Sequence, residues 1–273
     1  MPQKAPRIVI LGGGTGSFTL LQGLKSLTPN LTAVVSMSDD GGSTGVLRDE
    51  YGVLPPGDIL HIRGQVVPVT LYQHTLVAED GDRFYYGEHL IDSDIALSKN
   101  ATLRLEPETQ LNPLAHDALC AADLIVIAPG SLYTSLIPIL AVTGMRETLA
   151  RSKARLVSVA NLVNKPGQTD GWHVVDYVQQ LERYIGTDRI TDVLYNTEPI
   201  SPTLLLRYAK EGELPVDTER TRFAEIAANF HGARLVSKEL SARVDGDVLH
   251  RTLIRHDATR VADELKKLFA VEY

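Results

Sequence analysis

Ile8-Val9-Ile10-Leu11-Gly12-Gly13-Gly14-Thr15-Gly16-Ser17-Phe18-Thr19-Leu20-Leu21-Gln22-Gly23-Leu24 is the stretch that decides the fold. Residues 7–11 are a short apolar, largely β-branched run and read as a strand. Phe18, Leu20, Leu21 and Leu24 recur at helical spacing, so a helix is expected over 16–27. The glycines between them make a strand–loop–helix unit with bare backbone N–H groups. A second unit follows: a strand over 31–37 runs into Ser38-Asp39-Asp40-Gly41-Gly42-Ser43-Thr44-Gly45. In open parallel sheets ligands sit beyond the carboxyl ends of the strands, so the two loops together are a candidate site for a phosphorylated ligand.

Outward from that start, Val66 to Leu71, Thr75 to Ala78 and Arg83 to Tyr86 read as antiparallel strands with a turn at Asp80-Gly81. With a strand at 101–105 they form a hairpin subregion at about 66–105. From Asn112-Pro113 the alternation resumes, with a helix to 122, a strand at 124–128, a helix at 131–151, a strand at 156–160 and a helix at 171–183. A strand at 193–195, a helix at 201–211, a short strand at 248–254 and a helix at 259–269 complete the reading. Such alternation implies an α/β fold: a mostly parallel sheet with helices on both faces.

The 273 residues suit one generous α/β domain, and no second domain is required. Lys and Arg number 27 against 34 Asp and Glu, a net charge of −7 without a basic run, which argues against nucleic acid or an anionic membrane as partner. Small anions need only local donors. The single Cys120 excludes an internal disulfide framework and a cysteine-based zinc site, and its apolar surroundings read as a buried structural thiol. A strand beginning at Arg7 leaves no room for a signal peptide and no run is long enough to span a bilayer, so a soluble cytoplasmic protein is expected.

Two familiar nucleotide motifs fail. A dinucleotide fingerprint counted from Gly12 and Gly14 meets Ser17 where its third glycine belongs, and no Lys supplies a P-loop. Asp39 does follow the first loop by roughly 20 residues, where a ribose-binding acid would sit, which keeps an NAD-linked oxidoreductase as an alternative. Gly13, Gly14, Thr15 and Gly16 are read as phosphate-binding backbone, against a plain tight turn. Asp39 and Asp40, with the Gly41-Gly42-Ser43 backbone as an anion nest, could hold Mg²⁺, accept sugar hydroxyls or act as a base, against an Asx-turn and helix cap. Asp58 closes a further turn, Pro55-Pro56-Gly57-Asp58.

Gly130 and Ser131 offer backbone and hydroxyl donors at a helix start, where Ser131 also reads as an ordinary cap. Asn161 and Asn196 close strands, so polar residues gather at one sheet edge. In Arg255-His256-Asp257, Asp257 reads as a helix cap and Arg255 as either solvated or a diphosphate contact. His74 and His116 read as surface or core-edge residues, and neither a Ser-His-Asp order nor HExxH is present.

Taken in order, Gly12-Gly13-Gly14-Thr15-Gly16, Ser38 through Arg48, Pro56-Gly57-Asp58-Ile59, Gly130 through Ser135 and Pro166-Gly167-Gln168-Thr169-Asp170-Gly171 resemble the YvcK/GlmR gluconeogenesis factors. These belong to the CofD-like superfamily together with 2-phospho-L-lactate transferase. The resemblance implies a single Rossmann-like, doubly wound CofD-like domain over 1–273. It also implies a cytoplasmic regulator that binds a UDP-sugar, chiefly UDP-N-acetylglucosamine, and links gluconeogenic growth to cell-wall precursor synthesis and cell shape. A cell-wall precursor enzyme as partner and a homo-oligomer are compatible with that role. Tyr208 in Leu206-Arg207-Tyr208 and Arg255 in Ile254-Arg255-His256-Asp257 match the aromatic and cationic contacts of the UDP-sugar site. Stacking on uracil and a fork on diphosphate suit those side chains.

One departure is large. In the family, Pro-Gly-Asp-Ile precedes several dozen mostly helical residues, whereas here Asp58-Ile59-Leu60-His61-Ile62-Arg63-Gly64 joins the flanks almost directly. In the transferases that stretch helps build the acceptor site, so its absence counts against the alternative of a phospholactate-type transferase using a nucleotide-activated donor, Mg²⁺ and a deazaflavin acceptor.

Overall fold

The computed structural model describes residues 5–38, 64–93, 95–237 and 254–270. In chain order the strands are β1 (Ile8–Leu11), β2 (Leu31–Val35), β3 (Gln65–Pro68), β4 (Thr75–Asp80), β5 (Arg83–Tyr86), β6 (Thr102–Glu106), β7 (Leu124–Ile127), β8 (Arg155–Val159), β9 (Asp192–Asn196) and β10 (Asn229–Ala233). The helices are α1 (Gly14–Leu24), α2 (Glu88–Ser93), α3 (Pro113–Ala121), α4 (Ile137–Leu140), α5 (Met145–Arg151), α6 (Val174–Ile185), α7 (Pro202–Ala209) and α8 (Ala258–Ala270). Seven strands make one parallel sheet in the order β10-β9-β8-β7-β1-β2-β3, and β5-β4-β6 make a small antiparallel sheet.

Alternation along the central strands divides the core. Ile8 and Ile10 of β1, Leu124 and Val126 of β7 and Val157 and Val159 of β8 face Leu20, Leu24, Val261 and Leu265 of α1 and α8. Val9, Leu11, Ile125 and Ile127 face the other way, into a core shared with α6 and with Leu76, Ala78, Leu103 and Leu105 of the small sheet. Strands covered on both faces need continuous apolar runs, which is what these sequences supply. Helix starts are set locally: Asn112 accepts from Leu114 N–H at 3.0 Å ahead of Pro113, and His173 and Asp176 form a capping box on α6.

Several expectations are corrected. The strand expected at 66–71 does not begin a hairpin; β3 instead extends the main sheet in parallel beside β2, and Pro68 is tolerated because β3 is the edge strand. The single helix expected over 131–151 is broken. Pro138 cannot donate to the preceding turn, a wide turn over Leu132–Leu136 precedes α4, and Gly144 at φ 92° starts α5. Helix α2 and strand β10 lie where no element was expected, since Asn229-Phe230-His231-Gly232-Ala233 lacks a β-branched run. Of the strand expected at 248–254 only Ile254 is described, and it is not in a strand.

Cys120 is exposed rather than buried: the inward stripe of α3 is Ala115 and Leu119, and Cys120 falls one step past it, 3.7 Å from His116 Nε2. His74, by contrast, is inside, against Thr70 Oγ1, and burial lowers its pKa despite the Tyr72 carbonyl.

Candidate functional site

From β1 the chain builds β2 and β3 on one side, and β7, β8, β9 and β10 then fill the other, so strand order reverses between β1 and β7. The turns leaving these two strands diverge there, which is where doubly wound sheets hold ligands. Beyond the carboxyl ends lies a cavity of about 300 Å³, whose lining includes Gly16, Gly130, Asn161, Tyr208 and Arg255. Five positions singled out from distant parts of the sequence therefore meet in one place. That volume is at the small end of ligand-binding cavities.

Gly13 is the N-cap of α1, with Gly14, Thr15 and Gly16 in its first turn, so the helix start faces the switch point. Gly16 is required by close approach: a Cβ there would stand 1.8 Å from the Pro129 carbonyl oxygen. The β1 and β7 turns thus touch through backbone. Asp39, Asp40, Gly41, Gly42, Ser43 and Asp58 lie outside the described residues.

Two of the donors expected from the turn after β7, the Gly130 N–H and the Ser131 hydroxyl, bond within the protein. Gly130 N–H donates to Asn161 Oδ1 at 3.0 Å, and Asn161 Nδ2 returns a bond to the Gly130 carbonyl at 2.9 Å. Asn161 is a brace that fixes the turn leaving β7. The Ser131 hydroxyl lies 3.2 Å from Asp92 Oδ1, and Thr134 Oγ1 approaches the same oxygen at 2.7 Å. Lys165 Nζ completes the group as an ion pair. Burial opposes ionisation of Asp92, but these bonds hold its pKa below the usual carboxylate range.

Tyr208 and Arg255 are joined through backbone. The Tyr208 hydroxyl accepts from Ile254 N–H at 2.8 Å, one residue before Arg255. The Arg255 carbonyl accepts from Ser237 N–H at 3.1 Å, and Asp257 N–H donates to Leu235 at 2.7 Å. Asp257 also caps α8, accepting from Thr259 and Arg260 N–H, each at 3.0 Å. Arg255 is therefore held on both sides. Among the described residues its guanidinium has no hydrogen-bond or ion-pair partner.

Two further residues of the lining, Glu213 and His256, escaped sequence reasoning as site members. His256 is buried and neutral, its pKa lowered to about 4 by burial despite a bond to the Ala160 backbone, and its Nε2 has no partner among the described residues. Glu213 follows Glu211-Gly212 in the turn after α7; burial first, then Glu211, raises its pKa, and Lys165 opposes the rise. His256 stood inside the Arg255-His256-Asp257 stretch without a role of its own, and no motif marked Glu213.

Among the described residues no group of His, Cys, Asp and Glu is placed to hold a metal ion, and no helix is long and apolar enough to cross a membrane.

The family model for 2-phospho-L-lactate transferase CofD matches residues 8–62 and 58–236. The gluconeogenesis factor of Bacillus subtilis is 31% identical over 330 residues, covering 98% of this chain and 99% of that protein. That of Halalkalibacterium halodurans is 30% identical over 320 residues, covering 96% of each. A crystal structure from Bacillus halodurans, described as a member of the UPF0052 family, superposes with a TM-score of 0.83 at 27% identity, covering 97% of this chain and 99% of that one. Both sequence alignments run over more positions than this chain's 273 residues, and the two matched segments of the family model meet at 58–62, where the sequence departs from the family pattern. A family model matched over most of the length, and relatives at 30% identity or more over nearly whole chains, place this protein in the CofD family, among its gluconeogenesis factors.

Proposed function

We propose that this protein is a regulator that binds a nucleotide sugar, UDP-N-acetylglucosamine, in the cavity between β1 and β7. The observation that carries the reading is Arg255: a residue held by its backbone, with a guanidinium unpaired among the described residues, in a cavity shared with the first turn of α1. An unpaired guanidinium beside a helix start suits a diphosphate. Tyr208 supplies an aromatic surface for the base. Asp39 and Asp40 would be the carboxylates for Mg²⁺ if the ligand carries one. In this role ligand occupancy reports precursor supply, and a cytoplasmic enzyme of cell-wall precursor synthesis is the partner that reads it.

Titration calorimetry tests the proposal. Saturable binding of UDP-N-acetylglucosamine without turnover is expected, and Arg255→Ala should lose about 1.5–3 kcal/mol, the scale of a charged hydrogen bond, or roughly 10- to 150-fold in Kd. Unchanged affinity in that variant would remove the diphosphate from this cavity. The match to a transferase model keeps one enzymatic outcome in view: a phosphodiester product in the mass spectrum after incubation with a nucleotide-activated donor would replace regulation with transfer.

A further inference from the structure

A cavity that recognised only a diphosphate would have no use for a carboxylate, yet Glu213 lines this one. Its backbone is well fixed. Glu213 N–H donates to the Tyr208 carbonyl at 3.1 Å, closing the turn after α7, and the next carbonyl, Leu214, accepts from Asn164 N–H at 2.7 Å. Gly212 makes the turn at φ 80°, and a Cβ there would stand 3.4 Å from Pro166 Cγ. The carboxylate itself is half-buried and has no hydrogen-bond or ion-pair partner among the described residues. Lys165 is close enough to act on its charge but is paired with Asp92.

Glu213 lines the cavity together with Tyr208 and Arg255. Glu213 and Arg255 act on the Tyr208 hydroxyl with opposite sign, and Arg207 adds to the positive influence. Glu211 is the second acid on the same turn, and neutral His256 completes this part of the lining. The cavity lining therefore brings together a cation, an anion and an aromatic ring. An ionised carboxylate only accepts hydrogen bonds, and its strongest neutral partners are hydroxyl and amide donors. A phosphate in the same place would meet like charge.

We propose that Glu213 is the specificity residue of this site: it accepts hydroxyl donors from the ribosyl or glycosyl part of the ligand while Arg255 takes the diphosphate, and it rejects nucleotides that carry a further phosphate instead of a sugar. The inference rests on the nucleotide-sugar reading above.

Calorimetry with UDP-N-acetylglucosamine and UTP, at one salt concentration, compares the wild type with Glu213→Gln. The wild type prefers the sugar nucleotide; Glu213→Gln loses roughly tenfold in its affinity for it, as expected for a charge-assisted bond, and binds UTP as well as or better than the wild type does. Thermal unfolding of Glu213→Gln should match the wild type, because no partner in the described structure is lost. If its midpoint shifts, Glu213→Asp carries the comparison: it keeps the charge and must keep the discrimination against UTP. A wild type that binds UDP-N-acetylglucosamine, with a variant that shows the same affinities for both nucleotides, overturns the role of Glu213 alone. A wild type that binds no sugar nucleotide overturns the underlying reading and this inference with it.

Discussion

Replacing Gly16 by alanine sets two effects of known sign against each other. Gly16 lies inside α1, where alanine is favoured over glycine by about 0.8–1 kcal/mol. Its conformation adds no penalty of its own, because Gly16 is not among the glycines with positive φ. Against this stands the Pro129 carbonyl oxygen, 1.8 Å from where the Cβ would be, with the carbonyl carbon at 3.0 Å. These are backbone atoms that cannot rotate away, so the two turns must separate by about 1 Å or more, and overpacking of this kind costs about 1–3 kcal/mol or more. A contact of 1.8 Å with backbone belongs at the upper end of that range, about 3 kcal/mol, so the clash wins, leaving a net loss of roughly 2 kcal/mol and a fall in Tm of about 4–8 °C for a chain of this size. Urea unfolding with a shared slope measures it. Gly23→Ala is the control for position, because it places a Cβ 2.0 Å from the Ala258 carbonyl oxygen at the α1–α8 crossing, away from the cavity lining. Both variants lose stability, but only Gly16→Ala also weakens binding of the nucleotide sugar. A Gly16→Ala protein as stable as the wild type would refute the close approach of the β1 and β7 turns.

Two more outcomes follow from the same geometry. Asn161→Ala removes both bonds to Gly130 and should cost about 1–3 kcal/mol in urea unfolding, with a parallel loss of ligand affinity; affinity retained in full would mean that the brace does not shape the cavity. His256 ties stability to pH, since burial holds its folded pKa at about 4, below the unfolded value of 6.5. The unfolded chain then binds the proton first, so the stabilisation is complete above pH 6.5 and is lost as pH falls toward 4, by up to about 3 kcal/mol. His74 shifts in the same direction, so the share of His256 is the part of the slope that disappears in His256→Gln. An unchanged slope in that variant would place the imidazole in water.

Much of the fold was legible because it is written locally. Ile8 to Leu11 and Leu124 to Ile127 are apolar runs, and Leu156 to Ala160 is one broken only by the buried Ser158; parallel strands buried on both faces can hardly look otherwise. What sequence could not supply was partnership at long range. Whether Val66-Val67-Pro68 joins a hairpin or the edge of the main sheet is decided by β2, some 30 positions earlier, and not by the segment's own pattern. Likewise β10 is a strand because β9 offers an open edge, with His231 Nε2 2.8 Å from the buried Asp192 carboxylate and Asp192 also taking both arms of Arg155.

The same distinction runs through the site. Gly16 could be picked out from its loop, and Tyr208 and Arg255 from a resemblance, but their meeting depends on the strand order that sets β7 against β1. That order turns a glycine loop into one wall of a cavity and brings in a second wall from residues 31 to 46 positions away from their partners, as with Asn161 on Gly130 and Tyr208 on Ile254. Sequence motifs nominated groups that could touch a phosphate; in the fold several of them also hold the wall. Asn161, the Ser131 hydroxyl and Tyr208 each make a bond within the protein, and Asn161 and Tyr208 also line the cavity. Arg255 and Glu213 are left as charged side chains of the lining with no hydrogen-bond or ion-pair partner among the described residues. Leaving both charges unpaired in a partly desolvated cavity is unfavourable for the empty protein, and on the proposed reading a ligand that brings an anion for one and hydroxyl donors for the other offsets that cost. A nucleotide sugar carries both on one molecule, which is why the two variants Arg255→Ala and Glu213→Gln should fail in different ways: the first loses affinity for every diphosphate, the second loses only the preference for the sugar.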